Sequence, residues 1–257
     1  LPYRCRHLQS EKYPLKNFIV LVPEQFTMQT QKDLVSMHPR HGIMNIDVLS
    51  FARLAYRVFE ETGTKQMQVL DDEGKNLILR KIAGDYENKL TVLKGNIKKL
   101  GYISEVKSVI SEFTQYDIGE EEIDEMLDHL DEDSRLYYKL KDIRLLYEGF
   151  QDYLRERYIT KEELLDVLNS QVKESELLKN SVVVLDGFTG FTPVQNRLIL
   201  ELMRCCKEVW VTVTMDEREN PYAYKHPYQL FGLSKQMITT LVRMAGEDHI
   251  EVEEPVC

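Results

Sequence analysis

The chain has 257 residues, 43% of them hydrophobic, and is long enough to bury the core of one large domain or two modest ones. No apolar run approaches the roughly 18 to 20 residues that cross a bilayer, and the first residues lack the apolar stretch of a signal peptide, so we expect a cytoplasmic protein without a membrane partner. The net charge of −10 argues against nucleic acid, but ten acidic residues and no Lys or Arg fall within residues 117–133, so acidity in one segment does not exclude DNA binding elsewhere.

Two short apolar runs near the start of the chain predict strands. Residues 18–22, FIVLV, form a continuous apolar run, which suits a strand buried on both faces of a parallel sheet. Residues 24–36 have helical spacing. The second run, residues 46–50, leads into another helical pattern, which Ser50 can cap and Gly63 can end.

From about residue 68 to residue 175 the sequence contains no convincing strand and several helical patterns. Apolar residues repeat there at three- and four-residue spacing, which is typical of amphipathic helices. Three groups share a helix face: Ile103, Val106, Ile110 and Phe113; Ile123, Met126, Leu127 and Leu130; and Leu136, Leu140, Ile143, Tyr147, Phe150 and Leu154. Thr160 and Glu163 fit a capping box at the start of a further helix.

Strand signals return after this helical block. Residues 181–186 and 208–214 are predicted strands, residues 249–254 are a weaker one, and Thr192 and Gln195 between the first two fit a capping box. Strands alternating with helices predict an α/β fold with a parallel sheet and right-handed crossovers. The all-α block interrupts it, so we expect a first sheet segment at 1–67, a helical insertion at 68–175 and a second sheet segment at 176–257.

The sequence VVVLDG ends a predicted buried strand at Asp186. Nucleotide hydrolases place a metal-binding carboxylate at such a position, although a buried strand that ends in a turn Asp is also common. Gly187 stands where such enzymes have a second acid, and the phosphate loop G-x-x-x-x-G-K-[ST] is absent from the chain. We therefore predict no catalytic residue, with Asp186 at most the remnant of a Walker B site.

Cysteine and histidine patterns predict neither a metal site nor a nucleophile. The four cysteines show no C-x-x-C spacing and are expected to be reduced thiols, with Cys205 and Cys206 at a helix end. No G-x-S-x-G elbow is present. His38 and His41 are spaced loosely enough for a metal, but surface loop histidines are the favoured interpretation.

Polar and aromatic side chains follow the predicted strands and therefore fall on one edge of the predicted sheet. Amide, cationic and aromatic groups together are the mixture that binds single-stranded nucleic acid. The alternative is that Phe51 and Tyr56 pack into the core through their helical spacing. The candidate DNA-binding residues are Gln25, Thr27, Phe51, Arg53, Tyr56 and Phe188, with Phe191 close by.

Four segments together resemble a known family. They are LVPEQFT at 21–27, VLSFARLAYRVFEETG at 48–63, VVVLDGFTGFTPVQNRLILELM at 182–203 and VTVTMDERENPYAYKHPYQLF at 211–231. In this order, separated by a helical block, they resemble the amino-terminal part of the AddB/RexB family, which provides one of the two subunits of the bacterial ATP-dependent helicase-nuclease that processes double-strand breaks. The resemblance covers nearly the whole chain.

The resemblance implies a UvrD-like helicase core, in which a RecA-like domain 1A carries an inserted helical domain 1B. It implies that the module is catalytically retired and scans single-stranded DNA for a short Chi-type sequence. The candidate DNA-binding residues would then lie along the strand's path.

The resemblance further implies that this chain is a fragment that begins after the phosphate loop. ATP with Mg²⁺ and a 4Fe-4S cluster are expected only for the full-length protein, and the expected protein partner is an AddA-type helicase-nuclease subunit in a heterodimer. Two alternatives remain: an ATPase once the missing loop is restored, and a purely structural subunit-interaction domain.

Overall fold

The computed structural model describes residues 17–38, 41–63, 68–96, 99–155 and 158–256. The chain divides into two compact units. The sheet unit comprises Leu1–Lys65 and Leu165–Cys257, and the helical unit comprises Gln66–Leu164. No helix among the described residues is long and apolar enough to span a bilayer.

The strands of the described residues are β1 (Asn17–Leu21), β2 (Ile46–Leu49), β3 (Gln68–Leu70), β4 (Tyr158–Thr160), β5 (Ser181–Leu185) and β6 (Glu208–Val211). The helices are α1 (Thr27–Met37), α2 (Phe51–Thr62), α3 (Asp72–Asp85), α4 (Leu100–Gln115), α5 (Glu120–Asp128), α6 (Arg135–Leu154), α7 (Glu163–Gln171), α8 (Glu176–Lys179), α9 (Pro193–Cys205) and α10 (Gly232–Glu247). Short 3-10 turns occupy Glu24–Phe26 and Val172–Glu174.

The sheet unit is built on four parallel strands in the order β2-β1-β5-β6. The two central strands, β1 and β5, are buried from Phe18 to Leu21 and from Ser181 to Leu185. Continuous apolar runs of this kind are needed where a strand is covered on both faces. The predictions of an α/β protein and of a parallel sheet are confirmed.

Helix ends in the sheet unit follow the predicted capping residues. The Ser50 hydroxyl accepts a hydrogen bond from the Arg53 amide at the start of α2, and Gly63 ends that helix in the left-handed conformation. At α9 the Thr192 amide donates to the Gln195 side chain at 3.0 Å, and the Gln195 amide donates to the Thr192 hydroxyl at 3.4 Å. These caps satisfy backbone groups that the helices leave unpaired.

Two strand predictions were wrong. Residues 249–254 form no strand, and the exposed backbone from residue 251 onward has no neighbouring strand among the described residues with which to pair. Conversely, β3 and β4 lie within the block predicted to be purely helical and pair in parallel. Each has only three residues, which is too short to show an alternating pattern in the sequence.

The helical unit has its own apolar core. Ile103, Val106 and Ile110 on α4 are buried as predicted, and Ile123 on α5 is fully buried. Met126 and Leu136, predicted on the same faces, are exposed instead, because the apolar stripe is wider than the surface that the neighbouring helices cover. The Thr160 and Glu163 capping box is confirmed, with the Thr160 amide 2.7 Å from the Glu163 carboxylate.

Two buried charges join distant parts of the helical unit. The Asp142 carboxylate, on α6, accepts hydrogen bonds from the backbone amides of Thr91, Val92 and Leu93 at 2.8–3.1 Å. The Lys75 ammonium, on α3, lies 2.7 Å from the Glu162 carboxylate. Buried ions of this kind are tolerated only when they are paired or hydrogen-bonded.

Candidate functional site at the carboxyl edge of the sheet

The carboxyl ends of all four parallel strands lie at one edge of the sheet, which we call the rim. β1 leads to the Glu24–Phe26 turn, β2 to Ser50 and α2, β5 to Asp186, and β6 to Thr212. Parallel strands therefore bring the candidate residues to one side of the unit, although they come from three separate parts of the chain, after β1, β2 and β5.

The two candidate residues that follow β1 have different roles. Gln25 is exposed and presents its amide to solvent. Thr27 is buried, and its hydroxyl donates a hydrogen bond to the Glu24 carbonyl at 3.0 Å. Thr27 therefore fixes the turn at the start of α1, while Gln25 is accessible to a ligand.

Helix α2 presents a cation and an aromatic ring to solvent. Arg53 and Tyr56 are exposed and, three positions apart, lie on the same helix face. Phe51 is buried at the start of the same helix. The core interpretation thus holds for Phe51 and not for Tyr56, whose side chain is 40% exposed.

Three phenylalanines form a contiguous cluster at the rim. The Phe188 ring lies 5.5 Å from the Phe51 ring and 5.1 Å from the Phe191 ring, in tilted geometry in both pairs. Such offset arrangements of aromatic rings are favourable beyond the area they bury. Phe188 is half-buried, so Phe51 and Phe191 hold its ring in place while part of it faces solvent.

Asp186 is engaged by the neighbouring strand. Its carboxylate accepts a hydrogen bond from the Thr212 hydroxyl, just beyond β6. Gly187 has a φ of +77°, a backbone conformation that residues with a Cβ adopt at a cost of about 1–2 kcal/mol. A second acid at this position would have to adopt that conformation, which gives a backbone reason for the glycine.

The residues at the rim do not fit the chemistry of ATP and Mg²⁺. Asp186 is held by Thr212, Gly187 provides no second carboxylate, and the chain contains no phosphate loop. Among the described residues, no group of three or more His, Cys, Asp or Glu is arranged to hold a metal ion.

An iron-sulfur cluster does not fit the cysteines that the structure describes. Cys205 and Cys206 are adjacent at the end of α9, as predicted, and Cys5 and Cys257 lie outside the described residues. Burial, with a smaller contribution from Cys205, raises the pKa of Cys206 to about 12. Such a thiol does not readily form the thiolate that a cluster requires.

The segment between β6 and α10 contains aromatic residues that the sequence analysis did not include among the candidate site residues. Tyr228 is 86% exposed, and its ring stacks on His226 with a centroid distance of 4.0 Å. The signal in the sequence was PYAYKHPYQLF at residues 221–231, in which four of eleven residues are Tyr or Phe. The segment, which begins at the carboxyl end of β6, therefore presents a second exposed aromatic surface.

Two side chains hold this segment in place. The buried Lys235 ammonium lies 2.6 Å from the Glu219 carboxylate. The Gln229 side chain accepts a hydrogen bond from the Lys225 amide at 2.9 Å and donates one to the Ala223 carbonyl at 3.0 Å. A loop of this length that is internally bonded is more often functional than a plain connection.

Fold and site together define a class: a parallel α/β protein whose aromatic, amide and cationic side chains gather at the carboxyl edge of the sheet. The family model described as "ADDB, N-terminal" matches residues 6–257, and the chain belongs to this family. The resemblance that the sequence motifs indicated is confirmed.

Curated relatives are named as the B subunit of an ATP-dependent helicase/deoxyribonuclease. The protein of Lachnoclostridium phytofermentans is 45% identical over 248 residues, which are 96% of this chain and 21% of that protein. The protein of Clostridium kluyveri is 36% identical over 94% of this chain and 21% of its own length. That of Alkaliphilus oremlandii is 39% identical over 77% of this chain and 17% of its own length. The chain thus spans about a fifth of these relatives.

Proposed function

We propose that this chain is the helicase-like amino-terminal module of the AddB-type subunit of an ATP-dependent helicase-nuclease. In this role it binds single-stranded DNA at the rim, scans it for a Chi-type sequence, and serves double-strand break repair by homologous recombination. The family and the names of the curated relatives support the assignment to this type of subunit. The mechanism is differential binding of DNA, without a reaction step in this module.

The arrangement of the two units supports a RecA-like domain 1A with an inserted domain 1B. The sheet unit is assembled from two segments, Leu1–Lys65 and Leu165–Cys257, and the helical unit occupies the residues between them. The four sheet strands are all parallel, as a RecA-like core requires.

One observation carries the DNA-binding proposal: exposed Arg53 and Tyr56 and half-buried Phe188 lie on loops and helices that follow the carboxyl ends of the strands. An aromatic face stacks on any base, and a guanidinium neutralises a phosphate. Phe188 is backed by two other rings, so stacking a base on it requires little reordering.

The order of the strands in the sheet sets the order in which the proposed contact residues follow one another along the rim. Tyr56 follows β2, Gln25 follows β1, Phe188 follows β5 and Tyr228 follows β6. Neighbouring strands lie about 4.8 Å apart, so β2 and β6 are separated by roughly 14 Å. We infer that a single strand crosses the rim along this line and that Tyr228 is an additional stacking residue.

The remaining components belong to the whole helicase-nuclease in this proposal. The partner is an AddA-type helicase-nuclease subunit, and the relatives' names, which describe one subunit of a larger enzyme, support such a complex. ATP with Mg²⁺ and a 4Fe-4S cluster would bind outside this chain, and the complex would act in the cytoplasm. Asp186 is then a retained Walker B-like position without a catalytic role.

Replacing Arg53 with Ala and Tyr56 with Leu tests the DNA-binding proposal. We expect Tyr56→Leu to weaken binding of fluorescent oligothymidylate by about 1–3 kcal/mol, because one base loses its stacking partner. Arg53→Ala should also lower the slope of log affinity against log salt by about one. Equilibrium anisotropy titrations at two salt concentrations measure both effects.

Matched controls are Arg243→Ala on α10 and Tyr116→Leu in the helical unit, since both side chains are exposed and neither is among the proposed DNA-binding residues. Both controls should bind like the unaltered chain. If the rim variants fold and bind oligothymidylate as tightly as the controls do, the single-strand function is wrong and the interaction-domain alternative gains support.

A further inference from the structure

The segment between β6 and α10 contains a loop that one glutamine closes. The Gln229 side chain accepts hydrogen bonds from the backbone amides of Lys225 and His226 at 2.9 and 3.3 Å and donates one to the Ala223 carbonyl at 3.0 Å. A primary amide can do both, because it has an acceptor oxygen and a donor nitrogen. One side chain therefore ties the two ends of this loop together, and Tyr228 lies inside the loop.

The loop presents a stacked pair of rings. The His226 imidazole lies on the Tyr228 ring with a centroid distance of 4.0 Å and an angle of 19° between the two planes. Tyr228 is nevertheless 86% exposed. Because His226 covers one face of the ring, this exposure comes from the edge and the other face. A ring that is covered on one side and open on the other offers a base one stacking position.

The backbone that follows the loop joins it closely to α10. Phe231, directly before α10, has a φ of +57°, a left-handed conformation that residues with a side chain rarely adopt. The next residue, Gly232, is buried, and a Cβ there would lie 2.5 Å from the Pro227 carbonyl oxygen, too close for any side chain. Unfavourable backbone conformations of this kind are found most often at ligand-binding sites, where the surrounding contacts maintain them.

We propose that Gln229 is a positioning residue for single-strand binding. By closing the loop it holds the Tyr228 ring against His226, with one face open to a base. A base then stacks on a ring that is already ordered, so binding does not bear the cost of immobilising that ring. The inference rests on the proposed single-strand function and adds the residue that fixes one of its stacking rings. Gln229 itself acts only through Tyr228.

A double-mutant cycle between Gln229 and Tyr228 tests this role. Tyr228→Leu removes the stacking ring and should weaken binding of fluorescent oligothymidylate by about 5- to 150-fold. Gln229→Met has a side chain of similar length that makes none of the hydrogen bonds, so affinity should fall by about two- to ten-fold. In the Tyr228→Leu background the same change should alter affinity by less than about two-fold, because no ring remains to be positioned.

A second variant disturbs the loop without changing Gln229. Gly232→Ala forces the loop away from α10, because its Cβ meets the Pro227 carbonyl, and it should also weaken binding only while Tyr228 is present. Gly246→Ala on the same helix is its matched control, since a Cβ there meets no packed neighbour within 4 Å. Gln236→Met, at an exposed position on α10, is the control for Gln229→Met. Circular dichroism of each variant verifies that it folds.

Three outcomes overturn the proposal. In the first, Tyr228→Leu binds like the unaltered chain although Tyr56→Leu is weakened, so the proposed function stands without this loop. In the second, Gln229→Met binds like Gln236→Met. In the third, Gln229→Met weakens binding equally with and without the Tyr228 ring, so it acts on the fold or on DNA directly. If neither Tyr56→Leu nor Tyr228→Leu weakens binding, the proposed function and this inference are both wrong.

Discussion

Replacing Asp142 with Ala is expected to destabilise the helical unit by about 3–5 kcal/mol. The carboxylate is buried and accepts hydrogen bonds from three backbone amides and from the Thr91 hydroxyl. Its removal leaves several donors without a partner. Hydrogen bonds to a charged group are each worth more than neutral ones. The Asp142 side chain thus ties the loop at residues 91–93 to α6, in addition to the burial of Leu93 in the core of the unit.

Amide hydrogen exchange at Thr91, Val92 and Leu93 measures the effect of Asp142→Ala locally, which matters because a chain of two units does not unfold in one step. Asp142→Asn retains one acceptor oxygen and should be intermediate. Asp133→Ala removes the same charge from an exposed position and should leave exchange unchanged. A loss below about 1 kcal/mol in Asp142→Ala would show that water replaces the carboxylate.

Replacing Lys75 with Met should destabilise the helical unit by about 3–5 kcal/mol at neutral pH, because it leaves the carboxylate of Glu162 buried without its cation. The double variant Lys75→Met with Glu162→Gln should recover most of that loss, since an uncharged pair carries no desolvation penalty. Lys139→Met, at an exposed position on α6, is the matched control.

The Lys75 effect should depend on pH. Burial raises the pKa of Glu162, but the hydrogen bond and charge of Lys75 outweigh it and hold the pKa below its ordinary value of 4.5. The pair's contribution is therefore present in full above pH 4.5 and is lost as the pH falls through the lower pKa of the folded state. Urea denaturation at about pH 7 and about pH 3 measures the free energy of unfolding of the unaltered chain and of Lys75→Met. The difference between the two should be smaller at the lower pH. A difference in the free energy of unfolding that does not change with pH would mean that Lys75 stabilises the unit by packing alone.

Local patterns in the sequence predicted the four strands and several helix ends of the sheet unit, but they also predicted a strand at residues 249–254 that does not form. The run FIVLV, the Ser50 cap and the Thr192 capping box each depend on neighbours within a few residues, and the structure has all three. β3 and β4 were missed because three-residue strands owe their existence to pairing across about 90 residues of chain.

The site required contacts that no local pattern contains. Helical spacing puts Phe51 on the same face as the buried Leu54 and Val58 and leaves Tyr56 off that face. Nothing in that spacing indicates that the Phe51 ring contacts the Phe188 ring. Likewise, Lys75 meets Glu162 from 87 positions away and Asp142 meets the loop at Thr91 from 51 positions away. The fold determines both of these pairs, and nothing in the local sequence around these residues indicated that they would meet.

Photo-crosslinking with 5-iodouracil oligonucleotides tests most directly whether the rim is the single-strand path. The aromatic residues proposed to stack on bases are the groups with which an excited iodouracil reacts. We predict crosslinks at Tyr56, Phe188 and Tyr228 that unlabelled oligothymidylate competes away. Competed crosslinks confined to residues outside the rim, such as the helical unit, would contradict the account.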